Sequence, residues 1–247
     1  VGRLVKNLLR EFGKVANVQY CYHQGNHENS KWLKKNYPNI KTAASYQELL
    51  ANPAIDAIVI ATPIKTHYEL TKKTLLAGKH VFVEKPITNN VKQAQELVKL
   101  AAKKKLVLFV GHIFSYHPIL TKIKQLTRKE PIKHAAFVWN KLGTFNEDLI
   151  FTLVSHDVAM ALDLFGSSST TLPDGKVVLD KPIIIKTLEN RGIVTDSDII
   201  YVRLNFPPEA NQHLTGKNHR SCTIYINRTS NFKNKTVTVA TDKNIYL

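Results

Sequence analysis

The sequence has few cysteines and no long apolar run. Only two cysteines, Cys21 and Cys222, occur among 247 residues, and each lies in a strand-like segment. Two buried, reduced thiols are the expected state, which excludes the class of small disulfide-rich secreted domains. No apolar stretch reaches the roughly 18 residues that a membrane-spanning helix needs, so no membrane partner is predicted.

The first residues do not have the features of a secretion signal. The segment "VGRLVKNLLREFG" has the pattern of an amphipathic helix, and it lacks the apolar core and small-residue cleavage site of a signal peptide. We therefore expect a cytoplasmic protein.

Acidic residues are in the minority, with 19 Asp and Glu against 35 Lys and Arg, a net charge of +16. This balance favours anionic partners such as a dinucleotide, a sugar nucleotide or nucleic acid. The lysines, however, are spread over several predicted helices. The sequence also lacks a basic strip interleaved with aromatic residues, on which single-stranded nucleic acid would stack. Solvated helix faces explain the charge, and no nucleic-acid partner is predicted.

The first half of the chain alternates predicted helices and strands. The strand candidates lie at 18–22, 57–61, 80–84 and 106–111. Repeated strand–helix units with short connections predict a parallel, doubly wound sheet, whose ligands bind at the carboxyl ends of the strands. The continuously apolar run at 57–61 predicts a strand that is buried on both faces. Ser45 and either Asn89 or Asn90 are predicted helix N-caps.

One predicted helix carries a single apolar stripe. Its members are Val91, Ala94, Leu97, Val98 and Ala101. Such a stripe predicts a helix that packs on the sheet along one side.

Beyond about residue 117 the pattern changes. Helices are expected at 118–128 and 154–165, and from 177 onward strand candidates follow one another without intervening helices. This arrangement predicts a largely antiparallel sheet. The predicted fold class is α/β, with a nucleotide-binding parallel-sheet domain at 1–115 and a C-terminal α+β domain at 116–247 that has a large, mostly antiparallel sheet.

Short motifs occur in a fixed order at and between the predicted strand ends. They are Ala61-Thr62-Pro63, Thr66-His67, Ala77-Gly78-Lys79-His80 and Glu84-Lys85-Pro86. In this order and spacing they resemble the Rossmann-type domain of the glucose–fructose oxidoreductase, inositol dehydrogenase and rhizopine catabolism (Gfo/Idh/MocA) family. The resemblance continues through 110–118, 139–143 and 155–162, and it covers most of residues 2–165.

The resemblance implies a site for NAD or NADP and a site for a sugar. Lys85 would bind the reacting hydroxyl and the nicotinamide ribose, and His156 would serve as acid or base. The residues implied to bind the cofactor are Gly2, Thr62, Pro63, His67, Glu84, Lys85 and His112. The residues implied to face the substrate are Lys85, Tyr116, Asn140, Gly143, Thr152 and His156. No metal is implied, and the bond between Lys85 and Pro86 is expected to be cis.

Several of these residues have a structural interpretation as well. Glu84 and Lys85 could form a solvent ion pair, and His156 could be a structural hydrogen-bonding residue. Asp157 is interpreted as a helix-start residue that favours the helix dipole, and Trp139 as a core residue.

The sequence departs from the family pattern at both ends and at one site residue. Alignment puts Gly2 and Val5 at the second and third glycines of the dinucleotide motif, so the first strand of the domain is expected before residue 1. Tyr22 replaces the usual ribose-binding acid, which leaves NAD and NADP both open. Thr152 stands where many relatives have an aspartate. The C-terminal domain is expected to continue beyond residue 247.

The implied function is a nicotinamide-dependent oxidoreductase that takes a hydride from a secondary hydroxyl of a sugar or nucleotide-linked amino sugar. The alternative is a non-catalytic relative that acts as a sensor or an assembly subunit. Val5, Tyr22 and Thr152 favour this alternative, whereas Lys85 and His156 oppose it. The expected partners are a sugar or sugar-nucleotide substrate and further copies of the chain, in a dimer or tetramer formed through the C-terminal sheet.

Overall fold

The structure is a computed structural model, and it describes residues 3–23, 27–142, 149–165, 181–189, 199–206 and 220–247. The chain divides into two units, Val1–Gly111 and His112–Leu247; the sequence placed the domain boundary between 115 and 116. Two predicted site residues, Gly2 and Gly143, lie outside the described residues.

The N-terminal unit alternates helices and parallel strands, as predicted. Its helices are α1 (Arg3–Phe12), α2 (His27–Asn36), α3 (Tyr46–Ala51), α4 (Ile64–Leu76) and α5 (Val91–Lys104). Its strands are β1 (Tyr20–Cys21), β2 (Lys41–Thr42), β3 (Ala57–Ile60), β4 (His80–Val83) and β5 (Leu108–Val110). All pairs are parallel, and they form two hydrogen-bonded groups, β1-β2 and β3-β4-β5.

One face of β3 is buried and the other is not. Ile58 and Ile60 pack against α4 and α5, whereas Ala57 and Val59 are exposed. The prediction of a strand buried on both faces is therefore wrong, because a continuously apolar run does not reveal whether one face or both are covered. On the second face Phe82 stacks on Phe109, with ring centroids 5.5 Å apart.

The helix N-caps follow the sequence closely. Ser45 Oγ accepts a hydrogen bond from the backbone of Glu48, and Asn90 Oδ1 accepts one from Gln93, each at 3.2 Å. These bonds satisfy amide groups that have no partner inside the helix.

The predicted apolar stripe on α5 is only partly correct. Leu97 and Ala101 are buried, but Val91 and Val98 are exposed. Each residue turns the helix by about 100°, so Val98 lies well away from the line through Leu97 and Ala101. The buried stripe is narrower than the apolar residues of the sequence suggested.

The C-terminal unit contains the larger sheet. Its helices are α6 (Pro118–Leu126) and α7 (Ser155–Phe165), with short 3₁₀ turns at Ile113–Tyr116 and Thr127–Lys129 and a π-helical turn at Ile150–Val154. Its strands are β6 (His134–Asn140), β7 (Lys181–Glu189), β8 (Ile199–Phe206), β9 (Arg220–Asn227), β10 (Asn234–Ala240) and β11 (Ile245–Tyr246). The strand order is β11-β10-β6-β9-β8-β7, and every pair except β6–β9 is antiparallel. The predicted fold class is confirmed.

The core of this unit lies between α7 and one face of the sheet. Alternate strand residues such as Phe137, Val202 and Ile224 pack with Met160 and Phe165 of α7. Since residues alternate between the faces of a strand, every second residue of these strands faces α7.

The two cysteines are free thiols, with Cys222 buried and Cys21 half-buried. Burial raises the pKa of both, as expected for thiols that are neutral and unreactive. Among the described residues, no helix is long and apolar enough to span a bilayer.

Candidate functional site

The turn after β4 carries Glu84, Lys85 and Pro86. The backbone amide of Glu84 donates to the carbonyl of Ile60 at 2.9 Å, which continues the pairing with β3 to the carboxyl end of the sheet. The Lys85–Pro86 peptide bond is cis, as the resemblance implied. The Lys85 side chain is half-buried. The turn therefore places a lysine at the edge where parallel sheets bind ligands.

Glu84 is a buried carboxyl group, with only 7% of the residue exposed. Its Oε2 accepts a hydrogen bond from the Lys85 backbone amide at 3.3 Å. Burial raises the pKa of Glu84, and the Lys85 amide and the charges of Lys85 and His67 oppose this shift. This burial does not fit the alternative of a solvent ion pair.

Gly111, which directly follows β5, leaves room for this carboxyl group. A Cβ at that position would lie 3.3 Å from Glu84 Cδ and 3.0 Å from Phe82 Cζ. The end of the neighbouring strand is therefore shaped to admit the Glu84 side chain.

His67 lies beneath the same turn and is 2% exposed. Its Nδ1 is 2.9 Å from the carbonyl oxygen of Pro86, and its Nε2 is 2.8 Å from that of Thr62. A carbonyl oxygen only accepts hydrogen bonds, so both nitrogens donate at once only when the ring carries two protons. His67 was predicted to bind the cofactor, which stays a prediction. Its ring joins the loops after β3 and β4.

The loop after β3 is exposed and carries two hydroxyl groups. Thr62 Oγ1 and Thr66 Oγ1 are 2.7 Å apart, and Thr66 Oγ1 donates to the Pro63 carbonyl at 2.8 Å. Pro63 precedes the first residue of α4. Thr62 and Pro63 thus lie at the same sheet edge as Lys85.

The motif Ala77-Gly78-Lys79-His80 has a structural role. Gly78 has φ of 77°, a conformation that glycine adopts at little cost. Lys79 is buried, and its Nζ donates to the carbonyls of Asn52 and Ile55, each at 2.7 Å. His80 Nδ1 accepts from the Val107 amide at 2.9 Å. The motif connects α4 to β4 at the amino end of the strand, opposite the Lys85 turn.

His156 belongs to the other unit, in the first turn of α7. It is 8% exposed and contacts two aromatic rings. The centroid of Phe114 is 4.9 Å away with the rings edge to face, and that of Trp139 is 6.4 Å away. A π-helical turn precedes α7, and such turns are frequent at functional sites.

Asp157 is buried rather than exposed at the helix start. None of its side chain is accessible, and its Oδ1 lies 3.0 Å from Nζ of Lys235. The interpretation of Asp157 as a residue acting on the helix dipole is therefore incomplete, because its main partner is an ammonium group on β10. Trp139, interpreted as core, is half-buried and contacts the same ammonium group.

The other predicted substrate residues of this unit are spread over three elements. Asn140 ends β6, and its Nδ2 donates to Asn234 Oδ1 at 2.9 Å. Thr152 is half-buried in the π-helical turn, and Tyr116 is 68% exposed. His112, predicted to bind the cofactor, is half-buried at the start of the unit.

Sequence reasoning missed Lys235 and Phe114. Lys235 is in phase with Val237 and Val239, so the two-residue period of "KTVTV" placed it on the inner face of the sheet. Asp157 is likewise in phase with Met160 and Ala161 on α7. Phe114 gave no comparable signal, because it lies in a single 3₁₀ turn.

Among the residues that the structure describes, no three or more His, Cys, Asp or Glu side chains are arranged to hold a metal ion.

Comparison with known proteins identifies the N-terminal unit. Residues 3–112 match a family model described as an oxidoreductase family with an NAD-binding Rossmann fold, GFO_IDH_MocA. Residues 3–112 are a Gfo/Idh/MocA domain. The family resemblance seen in the motifs is thus confirmed, and NAD or NADP is the cofactor class of the family.

Curated relatives extend the match into the C-terminal unit. An uncharacterized oxidoreductase of Escherichia coli, YdgJ, is 28% identical over 75% of this chain and 64% of its own length. A UDP-N-acetylglucosamine 3-dehydrogenase of Acidithiobacillus ferrooxidans is 32% identical over 50% of this chain and 39% of its own length. The chain spans less than two thirds of either relative.

Solved structures are also similar in fold to this chain. The apo scyllo-inositol dehydrogenase of Lactobacillus casei superposes with a TM-score of 0.81, covering 100% of this chain and 72% of that protein at 17% identity. At this level of identity the likeness establishes the fold.

Proposed function

We propose that this chain is a nicotinamide-dependent oxidoreductase that removes a hydride from a secondary hydroxyl group of a sugar or a nucleotide-linked amino sugar. The observation that carries the proposal is the turn after β4. There the buried Glu84 accepts from the Lys85 amide, and the His67 ring, which faces the carbonyls of Pro86 and Thr62, supports the turn that places Lys85 at the carboxyl edge of the sheet. A surface lysine needs no such support.

The groups at this edge fit the nicotinamide half of NAD or NADP. Thr62 and Pro63 would border the ring and ribose, and Lys85 would donate to the ribose hydroxyl. Glu84 would line the pocket, where burial favours its neutral form, a possible donor to the carboxamide. When bound, the nicotinamide accepts a hydride. Tyr22 stands where an acid usually binds the adenine ribose, so the choice between NAD and NADP stays open.

The protein's own part in the reaction is to bind the hydroxyl group and remove its proton. The Lys85 ammonium would stabilise the developing negative charge on the substrate oxygen. His156 would accept the proton, a task that suits imidazole near neutral pH. Thr152 cannot share a proton as a carboxylate does, but its hydroxyl can bind a sugar.

The substrate class is proposed from the relative that acts on a nucleotide-linked amino sugar. UDP-N-acetylglucosamine 3-dehydrogenase is 32% identical over the region it shares with this chain. Tyr116, Asn140 and His112 are the proposed contacts for the sugar and its junction with the cofactor. The net charge of +16 agrees with an anionic substrate.

We also propose that the chain forms a dimer or tetramer through the outer face of its large sheet. Tyr225 of β9 pairs with Val138 of β6 and Tyr201 of β8, and all three are half-buried on the face opposite α7. Tyrosine and valine suit a subunit interface. Light scattering after gel filtration should show an oligomer that Tyr225→Glu dissociates, whereas a monomeric wild type would contradict the proposal.

The test of the proposed function is Lys85→Met, because methionine keeps the length of the stem and removes the charge. Turnover of UDP-N-acetylglucosamine or another sugar with NAD or NADP should fall roughly 10²- to 10³-fold, as when a transition-state donor is lost. Lys72→Met is the matched control: Lys72 is also half-buried in this unit but pairs with Glu96 on the helices.

The control should keep wild-type turnover, and both variants should keep the wild-type circular dichroism spectrum. Wild-type turnover in Lys85→Met would remove Lys85 from the mechanism. A wild type that binds neither cofactor would favour the sensor or assembly subunit instead.

A further inference from the structure

A buried ion pair lies beside His156, and the proposed reaction uses neither of its members. Lys235 Nζ is 3.0 Å from Asp157 Oδ1, with 20% of the lysine side chain and none of the aspartate side chain exposed. Lys235 is the second residue of β10, and the antiparallel register pairs it directly with Trp139 of β6. Burying two charges is costly, so a buried pair is weak evidence for stability alone.

Two aromatic rings hold the ammonium group together with Asp157. Lys235 Nζ lies 3.8 Å from the ring centroid of Phe114 and 3.9 Å from that of Trp139. The two rings are 6.0 Å apart and meet edge to face. A cation over an aromatic face is attracted by the negative face of the ring, and more strongly when it is desolvated. Phe114, Trp139 and Asp157 therefore form a cage around the ammonium.

The same two rings contact the imidazole of His156. Phe114 meets it edge to face at 4.9 Å, and Trp139 is tilted toward it at 6.4 Å. Asp157 follows His156 directly in the first turn of α7, so the carboxylate ties the caged ammonium to the helical turn that carries the histidine. The ammonium, the two rings and the imidazole therefore form one contiguous cluster.

We propose that Lys235 and Asp157 are a positioning pair for His156: the caged ammonium fixes Phe114 and Trp139, and these rings set the orientation of the imidazole. The pair does not serve as an anion site, because Asp157 already neutralises the lysine. The effect of the pair on catalysis rests on the proposed function, whereas its effect on the imidazole does not.

Each member of the pair depends on the other for its charge. Burial raises the pKa of Asp157 and lowers that of Lys235, and in both cases the partner's charge opposes the shift. Removing one member therefore leaves a buried group without compensation and can unfold the unit. A variant that lacks both charges avoids this problem.

The experiment uses the full chain with histidine labelled at Cε1 and follows the His156 resonance by NMR. The variant His156→Gln lacks this resonance and so identifies it. The variants are Lys235→Met, Lys235→Arg and the double variant Lys235→Met/Asp157→Asn. The control is Lys133→Met, since Lys133 forms an ion pair with Asp242 at 3.2 Å and is 21% exposed. Lys133 precedes β6, at the other end of the strand from Trp139.

The proposal predicts that the His156 resonance moves toward that of an exposed histidine in Lys235→Met and in the double variant. It should stay in place in Lys133→Met and nearly so in Lys235→Arg, since a guanidinium also binds aromatic faces. With a substrate in hand, kcat of the double variant should fall about 10- to 100-fold with little change in KM, the size of a misplaced catalytic group.

An unmoved His156 resonance in the folded double variant would overturn the proposal, and would leave the pair a purely structural one. If the resonance moves but the wild type has no dehydrogenase activity, the positioning claim stands and the proposed function fails. The two ideas are thus tested separately.

Discussion

The contacts of the His67 ring with two carbonyl groups give the sharpest prediction about stability. Replacing His67 with phenylalanine keeps the ring volume but removes both ring nitrogens, so the carbonyls of Thr62 and Pro86 lose the nitrogen atoms that face them. An unsatisfied buried acceptor costs about 1–3 kcal/mol. Because a neutral imidazole donates to only one of the two carbonyls and the Thr62 loop is exposed, we expect a loss of about 1–3 kcal/mol, the cost of one acceptor.

The assay is urea unfolding followed by circular dichroism, and His80→Phe is the control. His80 accepts a single hydrogen bond, from the Val107 amide at 2.9 Å, and is half-buried, so water can replace it. We expect that variant to lose no more than about 1.5 kcal/mol. If His67→Phe lowers the free energy of unfolding no more than His80→Phe does, His67 does not hold the two loops together. His67→Phe should also lower turnover, because it releases the turn that positions Lys85.

Three further predictions concern single groups of the N-terminal unit. Because the folded-state pKa of Glu84 is raised, its ionisation opposes folding. Glu84→Gln should therefore be more stable than the wild type at neutral pH, and this advantage should vanish below pH 4.5, the ordinary pKa of the side chain. An advantage that grows as the pH falls would contradict the assignment. Lys79→Met should lower the free energy of unfolding in urea by about 2–5 kcal/mol, because two carbonyls lose a charged donor. The turnover of the folded fraction should stay unchanged. Lys105→Gly should raise the free energy of unfolding by about 0.5–1 kcal/mol and the melting temperature with it. Lys105 directly follows α5 and has φ of 56°, a conformation that favours glycine.

The sequence predicted local and periodic features best. Ser45 and Asn90 cap their helices because a short polar side chain before an apolar stripe satisfies a free amide. The parallel and antiparallel halves followed from the order of helices and strands. These features depend on near neighbours in the chain, which a single sequence displays directly.

The features that escaped prediction depend on contacts between distant segments. The burial of β3 depends on what covers its second face, which the run Ala57–Ala61 does not contain. The contact of the His67 ring with Pro86, 19 residues further along the chain, was not predicted, because the motif around His67 does not show which loop the ring meets. The cage around Lys235 joins a 3₁₀ turn, two strands and a helix. The sequence places its lysine and its aspartate on the buried faces of β10 and α7, but it does not show that they pair, because that depends on how the distant segments pack together.

The central claim is that the sheet edge around Lys85 binds a nicotinamide dinucleotide. The most direct measurement is a calorimetric titration of NADH and of NADPH into the protein with its native termini, repeated with Lys85→Met and Lys72→Met. The account predicts saturable one-site binding of at least one cofactor, weakened in Lys85→Met and unchanged in Lys72→Met. If the folded wild type binds neither cofactor, or if Lys85→Met binds as tightly as the control, the claim is contradicted.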